Sequence, residues 1–341
     1  MFDCSIEIGK FHNSKVSLGK EDRDLMKTRR DANRKRLKTG LEQNNYPLHY
    51  GCHTQGSYAM KTMIQDDNND YDIDDGIYFK KEDLVGPKGA DLSPLQVRQM
   101  VCDALSTSSN FKTPPTVLKN CVRVHYNEGH HVDMPAYRTI EEKDFWTGKI
   151  NVTHELASSS WKQSDPKEVT LWFKAKNIEL SPDSTSSNGG QFRRVVRLLK
   201  CFAKSRASWK ASTASGFMIT KLTEECFEGS NGRDDVALKN TINNMISRLD
   251  YDQVIVHPIL DGITLTNDTD GRPNFFKTKL KENIGYLDVL EEDTCTFEQA
   301  MKAWDKLFNI SWFSEQNNTD NKVAVTSPNK AVRKHGGGRY A

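Results

Sequence analysis

From residue 192 onward the apolar positions recur with a helical period. Phe192, Val195, Val196, Leu199, Phe202 and Ala203 follow the i, i+3, i+4 spacing of one helical face, with Arg193, Arg194, Arg197, Lys200 and Lys204 on the remainder. Helices are also predicted over 236–249 and 297–308, the second with Trp304 as a packing aromatic, around a turn-rich region at 262–273. In the first half, residues 21–41 read as a helix closed by Gly40 as its C-terminal cap. Residues 94–105 read as a short amphipathic helix through Leu95, Val97, Met100, Val101 and Leu105. Ser164-Asp165-Pro166-Lys167 supplies an N-cap and a proline opening for a helix that carries Val169, Leu171, Trp172 and Phe173. Elsewhere in this half the period changes to two. Tyr71, Ile73 and Ile77 oppose Asp72 and Asp74; Val122, Val124 and Tyr126 oppose Cys121, Arg123 and His125; Val132 and Met134 flank Asp133. Asn127-Glu128-Gly129 turns the second of these strands back onto the third as a hairpin. The Ser-rich, Gly-ending stretch from Ser181 to Gly190 is the clearest linker. Strands before it and helices after it make the chain α+β.

Composition narrows the possibilities. A chain of 341 residues can build one large core or two lobes, and 36% hydrophobic residues is ordinary for a soluble protein. No stretch has the apolar length of a transmembrane or secretory segment, so no membrane partner is expected. Seven scattered cysteines, never spaced Cys-x-x-Cys, predict reduced thiols in a cytoplasmic protein and argue against a zinc ribbon. A net charge of +2 is too small to advertise a nucleic-acid binder, and nucleic acid is not an expected partner. The basic runs Lys27-Thr28-Arg29-Arg30 and Arg34-Lys35-Arg36 are interleaved with Glu21, Asp22, Asp24 and Asp31, as on a solvated helix face with neighbouring ion pairs.

The chemistry is concentrated in residues 55–133. Asp72 and Asp74 share a strand face with Cα atoms roughly 6.6 Å apart, a span from which two carboxylates converge on a hard divalent cation. A two-metal site needs a third carboxylate, and Asp133 is the candidate. Gly56 lets a backbone approach phosphates closely, and Ser57 at the head of a helix adds a hydroxyl beside unpaired N–H groups. Alone, an Asp-x-Asp is more often a solvated turn and a Gly-Ser more often a loop. In this order they describe a nucleoside triphosphate with Mg²⁺. The hairpin brings Arg123 to the side of Asp133, where phosphate clamp and salt bridge to a metal-site carboxylate are equal readings. His130 and His131 are not read as ligands, because neighbours on a strand point apart and Mg²⁺ prefers oxygen; one should pack and one be solvated.

Gly-Ser, a strand with Asp-x-Asp and a second strand with one Asp is the pattern of the DNA polymerase beta-like nucleotidyltransferases. More narrowly, the sequence resembles the cGAS/DncV-like nucleotidyltransferases (CD-NTases) of bacterial anti-phage (CBASS) systems, in particular the DncV-like cyclic GMP-AMP synthases. The resemblance is carried by Gln55-Gly56-Ser57-Tyr58 with Lys61-Thr62, Asp72-Ile73-Asp74-Asp75-Gly76, Cys121-Val122-Arg123-Val124, Val132-Asp133-Met134-Pro135-Ala136-Tyr137, Ser164-Asp165-Pro166-Lys167 and the run Arg193 to Lys200. It implies a polymerase beta-like core with a mixed sheet and an N-terminal spine helix over 1–180, and a helical lobe over 181–330. A flexible Gly-rich tail would follow over 331–341, with the active site in the cleft between core and lobe. Asp72, Asp74 and Asp133 would be catalytic metal ligands for two Mg²⁺ ions, with Mn²⁺ able to substitute. Gln55, Gly56, Ser57, Tyr58, Lys61 and Arg123 would surround the nucleotide, and Lys200 and Ser215 would contact the donor triphosphate. The implied reaction joins nucleoside triphosphates, ATP and GTP among them, into a cyclic dinucleotide or trinucleotide second messenger with release of pyrophosphate, and an effector acts through the product. Some of these systems include ubiquitin-transfer-like partners, which makes Ala341 at the tail's end a candidate for conjugation. The same site could serve an enzyme that makes linear oligonucleotides or nucleotidylates another substrate, or an inactive nucleotide-binding regulator; the intact triad argues against the last. A double-stranded nucleic-acid sensor would need a basic platform or zinc thumb, and neither is evident.

Overall fold

The computed structural model describes residues 1–66, 71–107, 111–127, 129–183 and 189–316. The chain opens with α1 (Ser5–Phe11) and the long α2 (Lys20–Gln43), enters the sheet as β1 (Gly51–Gln55), passes a single helical turn α3 (Gly56–Ala59) and returns as β2 (Asp72–Lys80). After α4 (Pro94–Thr107) come β3 (Thr116–Val117), β4 (Val122–His125), β5 (His131–Met134), β6 (Ala136–Lys143), β7 (Ile150–Ala157) and β8 (Trp161–Gln163). The rest is helical: α5 (Pro166–Leu180), α6 (Gln191–Lys204), α7 (Gly216–Cys226), α8 (Asp234–Tyr251), α9 (Arg272–Ile284) and α10 (Phe297–Phe308).

β2 organises the eight-stranded sheet. β1 pairs antiparallel along one edge, Gln55 opposite Asp74, while β5 and β6 run parallel along the other, placing Asp133 beside Asp74 and Tyr137 beside Tyr78. Pro135, with no N–H to give to a ladder, splits this second edge into two strands, and its carbonyl accepts from the Ile77 N–H at 2.8 Å. Because side chains alternate, a slip of one residue along β2 would set Ile73 where Asp74 now stands.

Among the described residues three apolar clusters surround this arrangement, the smallest being Met60, Phe173, Phe192 and Val196. One lies between the sheet and α2/α4, with Leu37, Leu41, Val97 and Val101 against Ile73, Ile77 and Phe79. Gly40 belongs to this contact and is not the helix cap. The helix continues to Gln43, and a Cβ on Gly40 would sit 1.8 Å from the Ala104 carbonyl oxygen, so only glycine lets the two helices approach. The basic residues of α2 also differ from a plain solvated face. Arg29 is buried with its guanidinium 4.4 Å from the Tyr126 ring, and Arg34 clamps the fully buried Asp75 with two donors, Nε to Oδ2 at 2.6 Å.

The second core is helical and gathers Leu198, Phe202, Leu222, Leu238, Phe276 and Trp304. α1 joins this core, although the sequence assigns it to the strand-bearing half: the Phe11 ring lies 4.8 and 4.7 Å from those of Phe308 and Phe313. The turn-rich region at 262–273 ends in α9, whose start at Arg272-Pro273 uses proline as a first-turn residue. Among the described residues no helix is long and apolar enough to cross a membrane. The tail over 331–341, Ala341 included, and linker residues 184–188 lie outside the described residues.

Candidate active site

Alternation along β2 leaves Asp72 and Asp74 on one face while Ile73 and Asp75 are buried on the other. The parallel register then adds Asp133 from β5, and one carboxylate oxygen from each of the three acids lies within 4.8 Å of the others. Such crowding opposes charge. Burial and then the Asp133 charge hold Asp72 above the usual carboxylate range; burial, Asp72 and Asp133 push Asp74 up to about 8. An all-oxygen set of mutually repelling acids suits a hard divalent cation, which would relieve the repulsion. Imidazole is not part of the set: His130 is buried and stacked on Tyr71 at 5.2 Å, and His131 tilts against His125 at 5.5 Å.

Asp133 is fixed from behind. Arg123, opposite it across the β4–β5 pair, donates from Nε to Oδ1 at 2.7 Å and from a terminal nitrogen to Oδ2 at 2.8 Å. Of the two readings of Arg123 from the sequence, this is the salt bridge.

The Gly56–Thr62 turn closes over the acids. Gly56 has φ +64°, and a Cβ there would lie 2.2 Å from Asp74 Oδ2, so its lack of a side chain is required by the acid as well as by the turn. Lys200 reaches in from α6, buried, with Nζ donating to Thr62 Oγ1 at 2.9 Å. Burial first, then the charges of Lys204 and Arg197, bring its ammonium down to about 7. Ser215 caps α7, its Oγ accepting from the Met218 N–H at 3.2 Å. Gln55, Gly56, Ser57, Asp72, Asp74, Lys200 and Ser215 thus line one cleft of about 730 Å³, joined by Lys204, Lys210, Phe217, His257 and Arg272.

Not every predicted residue reaches it. α3 is a single turn, so its successive residues, roughly 100° apart, cannot all face one way. Tyr58 and Lys61 line a separate cavity, and the Tyr58 hydroxyl donates to the Arg23 carbonyl at 3.1 Å. Gln55 lines the cleft, but its amide donates to the Tyr137 hydroxyl at 2.8 Å. The sequence reading missed Thr62 as the partner of Lys200. The basic residues that the period places on the rest of α6 are also tied down: Arg193 donates to the Met60 carbonyl at 3.1 Å and Arg197 to that of Lys61 at 2.8 Å. The signal was a basic stripe on a helix whose remaining face is apolar.

Residues 51–137 match the family model described as cyclic GMP-AMP synthase DncV-like, nucleotidyltransferase domain. The whole chain resembles solved structures at low identity. CdnC of E. coli MS115-1 with ATP matches with TM-score 0.68 and 16% identity, over 90% of this chain and 98% of that one. The Vibrio cholerae DncV cyclic AMP-GMP synthase, in complex with the linear intermediate pppA(3',5')pG, gives 0.66 and 18% over 87% and 92%. The 3'-deoxy GTP-bound form of E. coli DncV gives 0.64 and 18%, again over 87% and 92%. The fold is that of the polymerase beta-like nucleotidyltransferases, with a mixed sheet and added helices.

Proposed function

From a chain whose residues 51–137 match the DncV-like nucleotidyltransferase domain, we infer a bacterial cGAS/DncV-like nucleotidyltransferase, a synthase that joins nucleoside triphosphates into a cyclic oligonucleotide with release of pyrophosphate. The observation that carries this is the convergence of three carboxylates within 4.8 Å, two of which, Asp72 and Asp74, line the same cleft as the Gly-Ser turn and a buried lysine. The cleft then divides a nucleotidyltransferase core from a helical lobe. ATP and GTP are the first substrates to test, and a cyclic dinucleotide such as cyclic GMP-AMP the first product. Anti-phage signalling through an effector that binds the product, and conjugation at Ala341, belong to the same reading.

Asp72, Asp74 and Asp133 would hold two Mg²⁺, replaceable by Mn²⁺; when bound, these would neutralise the donor triphosphate and lower the pKa of the acceptor ribose hydroxyl. The protein's own groups do the positioning. Ser57 and the Gly56 backbone, with Lys200 and Ser215, hold the donor phosphates so that the acceptor hydroxyl attacks the α-phosphorus in line and pyrophosphate leaves. Arg123 holds the Asp133 carboxyl group in a fixed orientation through its two hydrogen bonds. The linear intermediate turns in the cleft and rebinds, and the same groups serve the second bond.

The test is to incubate the purified chain with Mg²⁺ or Mn²⁺ and labelled ATP, GTP, CTP and UTP, singly and mixed, then treat with phosphatase. A phosphatase-resistant product that disappears in the Asp72→Asn, Asp74→Asn double variant, with the variant still folded, is expected. Phosphatase-sensitive chains alone would place the enzyme among linear polymerases, and turnover by the double variant would remove the triad from the mechanism.

A further inference from the structure

The Gly56–Thr62 turn has two sides. Gly56, Ser57, Met60 and Thr62 face the cleft, whereas Tyr58 and Lys61 line a second cavity of about 500 Å³ with Ser17, Leu18, Lys20, Arg23, Asp24, Met63 and Arg197. Four cations and one carboxylate meet in that cavity. They crowd one another: Arg197 is brought down to about 10 by burial and then by Arg193, Arg23 and Arg194, and Lys61 is lowered by burial and then by Arg193, Arg23, Lys174 and Arg197. Four cations against one carboxylate leave the cavity positive, so an anion would be drawn in.

We propose that this cavity, on the reverse face of the Gly56–Thr62 turn, binds a small phosphate-bearing molecule through Lys20, Arg23, Lys61 and Arg197. Its volume is that of a pocket for a nucleotide-sized ligand. Leu18, Met63 and the Tyr58 ring give it apolar walls, and Asp24 offers an acceptor for a hydroxyl beside the phosphate. A nucleic-acid duplex would instead want cations spread along an open face, so a small ligand fits the concavity better.

Occupation would reach the cleft through one peptide. Arg197 holds the Lys61 carbonyl through two donors, and Lys61 is a non-glycine residue at φ +56°, a conformation costing on the order of 1 kcal/mol. An anion that draws Arg197 away frees that carbonyl and shifts the adjacent Thr62, the partner of Lys200. This coupling rests on the cleft as the donor site; binding in the cavity does not.

Calorimetric titration of inorganic triphosphate in the presence of Mg²⁺, where the ligand has no ribose hydroxyl to react, separates the two. The native chain should show two binding events. Lys200→Met should remove one, and Lys20→Ala with Arg23→Ala should weaken the other by about tenfold or more. Asp24→Asn guards against a misfolded double variant: deleting the lone carboxylate should tighten the cavity event several-fold. A single event, abolished by Lys200→Met and indifferent to the cavity variants, overturns the proposal. So does a short DNA duplex whose binding is lost in the double variant while triphosphate shows only the cleft event, because the cations would then serve nucleic acid. Failure of nucleotide turnover leaves this test untouched.

Discussion

Lys200 carries an ammonium that its own surroundings discourage. Its folded value of about 7 lies below the roughly 10.4 of an exposed lysine, so between these limits the unfolded chain binds more protons. The burden on stability is therefore full below pH 7 and is relieved as pH rises toward the unfolded value. A triphosphate favours the charged form, so binding at pH 8 should take up close to one proton, and donor affinity should fall up to tenfold per pH unit above 7. Titration with a non-hydrolysable ATP analogue in buffers of different ionisation enthalpy reads the proton directly. Uptake should vanish in Lys200→Met, and its persistence there would assign the proton to another group. Arg123 offers a second check, because it orients Asp133 by two hydrogen bonds without lining the cleft. Arg123→Ala should raise the Mg²⁺ concentration needed for half-maximal thermal stabilisation by about 10- to 100-fold, and an unchanged requirement would make the pair merely structural. The acids themselves were legible in the sequence because strand alternation is local. Thr62 was not, since its partner lies 138 positions away.

Elements with a clean period were placed well, and the misses have identifiable causes. β6 and β7 form a hairpin whose outer part is exposed, with Ile150 and Val152 half open to solvent, so their polar and apolar positions do not alternate against one core. α1 has seven residues, too few for a periodic signal, and buries Ile8 and Phe11 against a helical core built mainly from residues more than 180 positions later in the chain. Gly40 misled for another reason. A glycine near a helix end usually terminates it, yet this one is spent on the crossing with α4. The consequence is measurable. In an exposed helix Gly→Ala gains about 1 kcal/mol of propensity, but here the new methyl would overlap the Ala104 backbone, which cannot rotate away. Overlap should win, and Gly40→Ala should destabilise the chain by about 1–3 kcal/mol in urea titration. A stabilised variant would mean that α2 and α4 separate freely.

Across the whole molecule, the sheet core and the helical core meet through one face of α6. Arg193, Arg197 and Lys200, spaced four and three residues apart, hold the consecutive residues Met60, Lys61 and Thr62. These contacts join cations to backbone carbonyls and a hydroxyl rather than to carboxylates, so they depend on geometry more than on charge balance. Arg193 is the least exposed of the arginines among the described residues: buried, brought down to about 10 by burial alone, donating also to the Gly189 carbonyl at 2.9 Å and lying 5.5 Å from the Phe173 ring. Arg193→Ala removes both hydrogen bonds; Gly189 keeps its bond from the Asn177 amide at 2.6 Å, but the Met60 carbonyl loses its arginine donor, which should cost about 1–3 kcal/mol. Were the arginine only a local packing element, the loss would lower one cooperative transition and leave nucleotide affinity alone. As a tie between cores it should do more. The calorimetric enthalpy should come to exceed the van't Hoff enthalpy as the two cores melt apart, and nucleotide affinity should weaken because Met60 and Thr62 line the cleft. A variant that melts in one transition with native affinity would refute the tie.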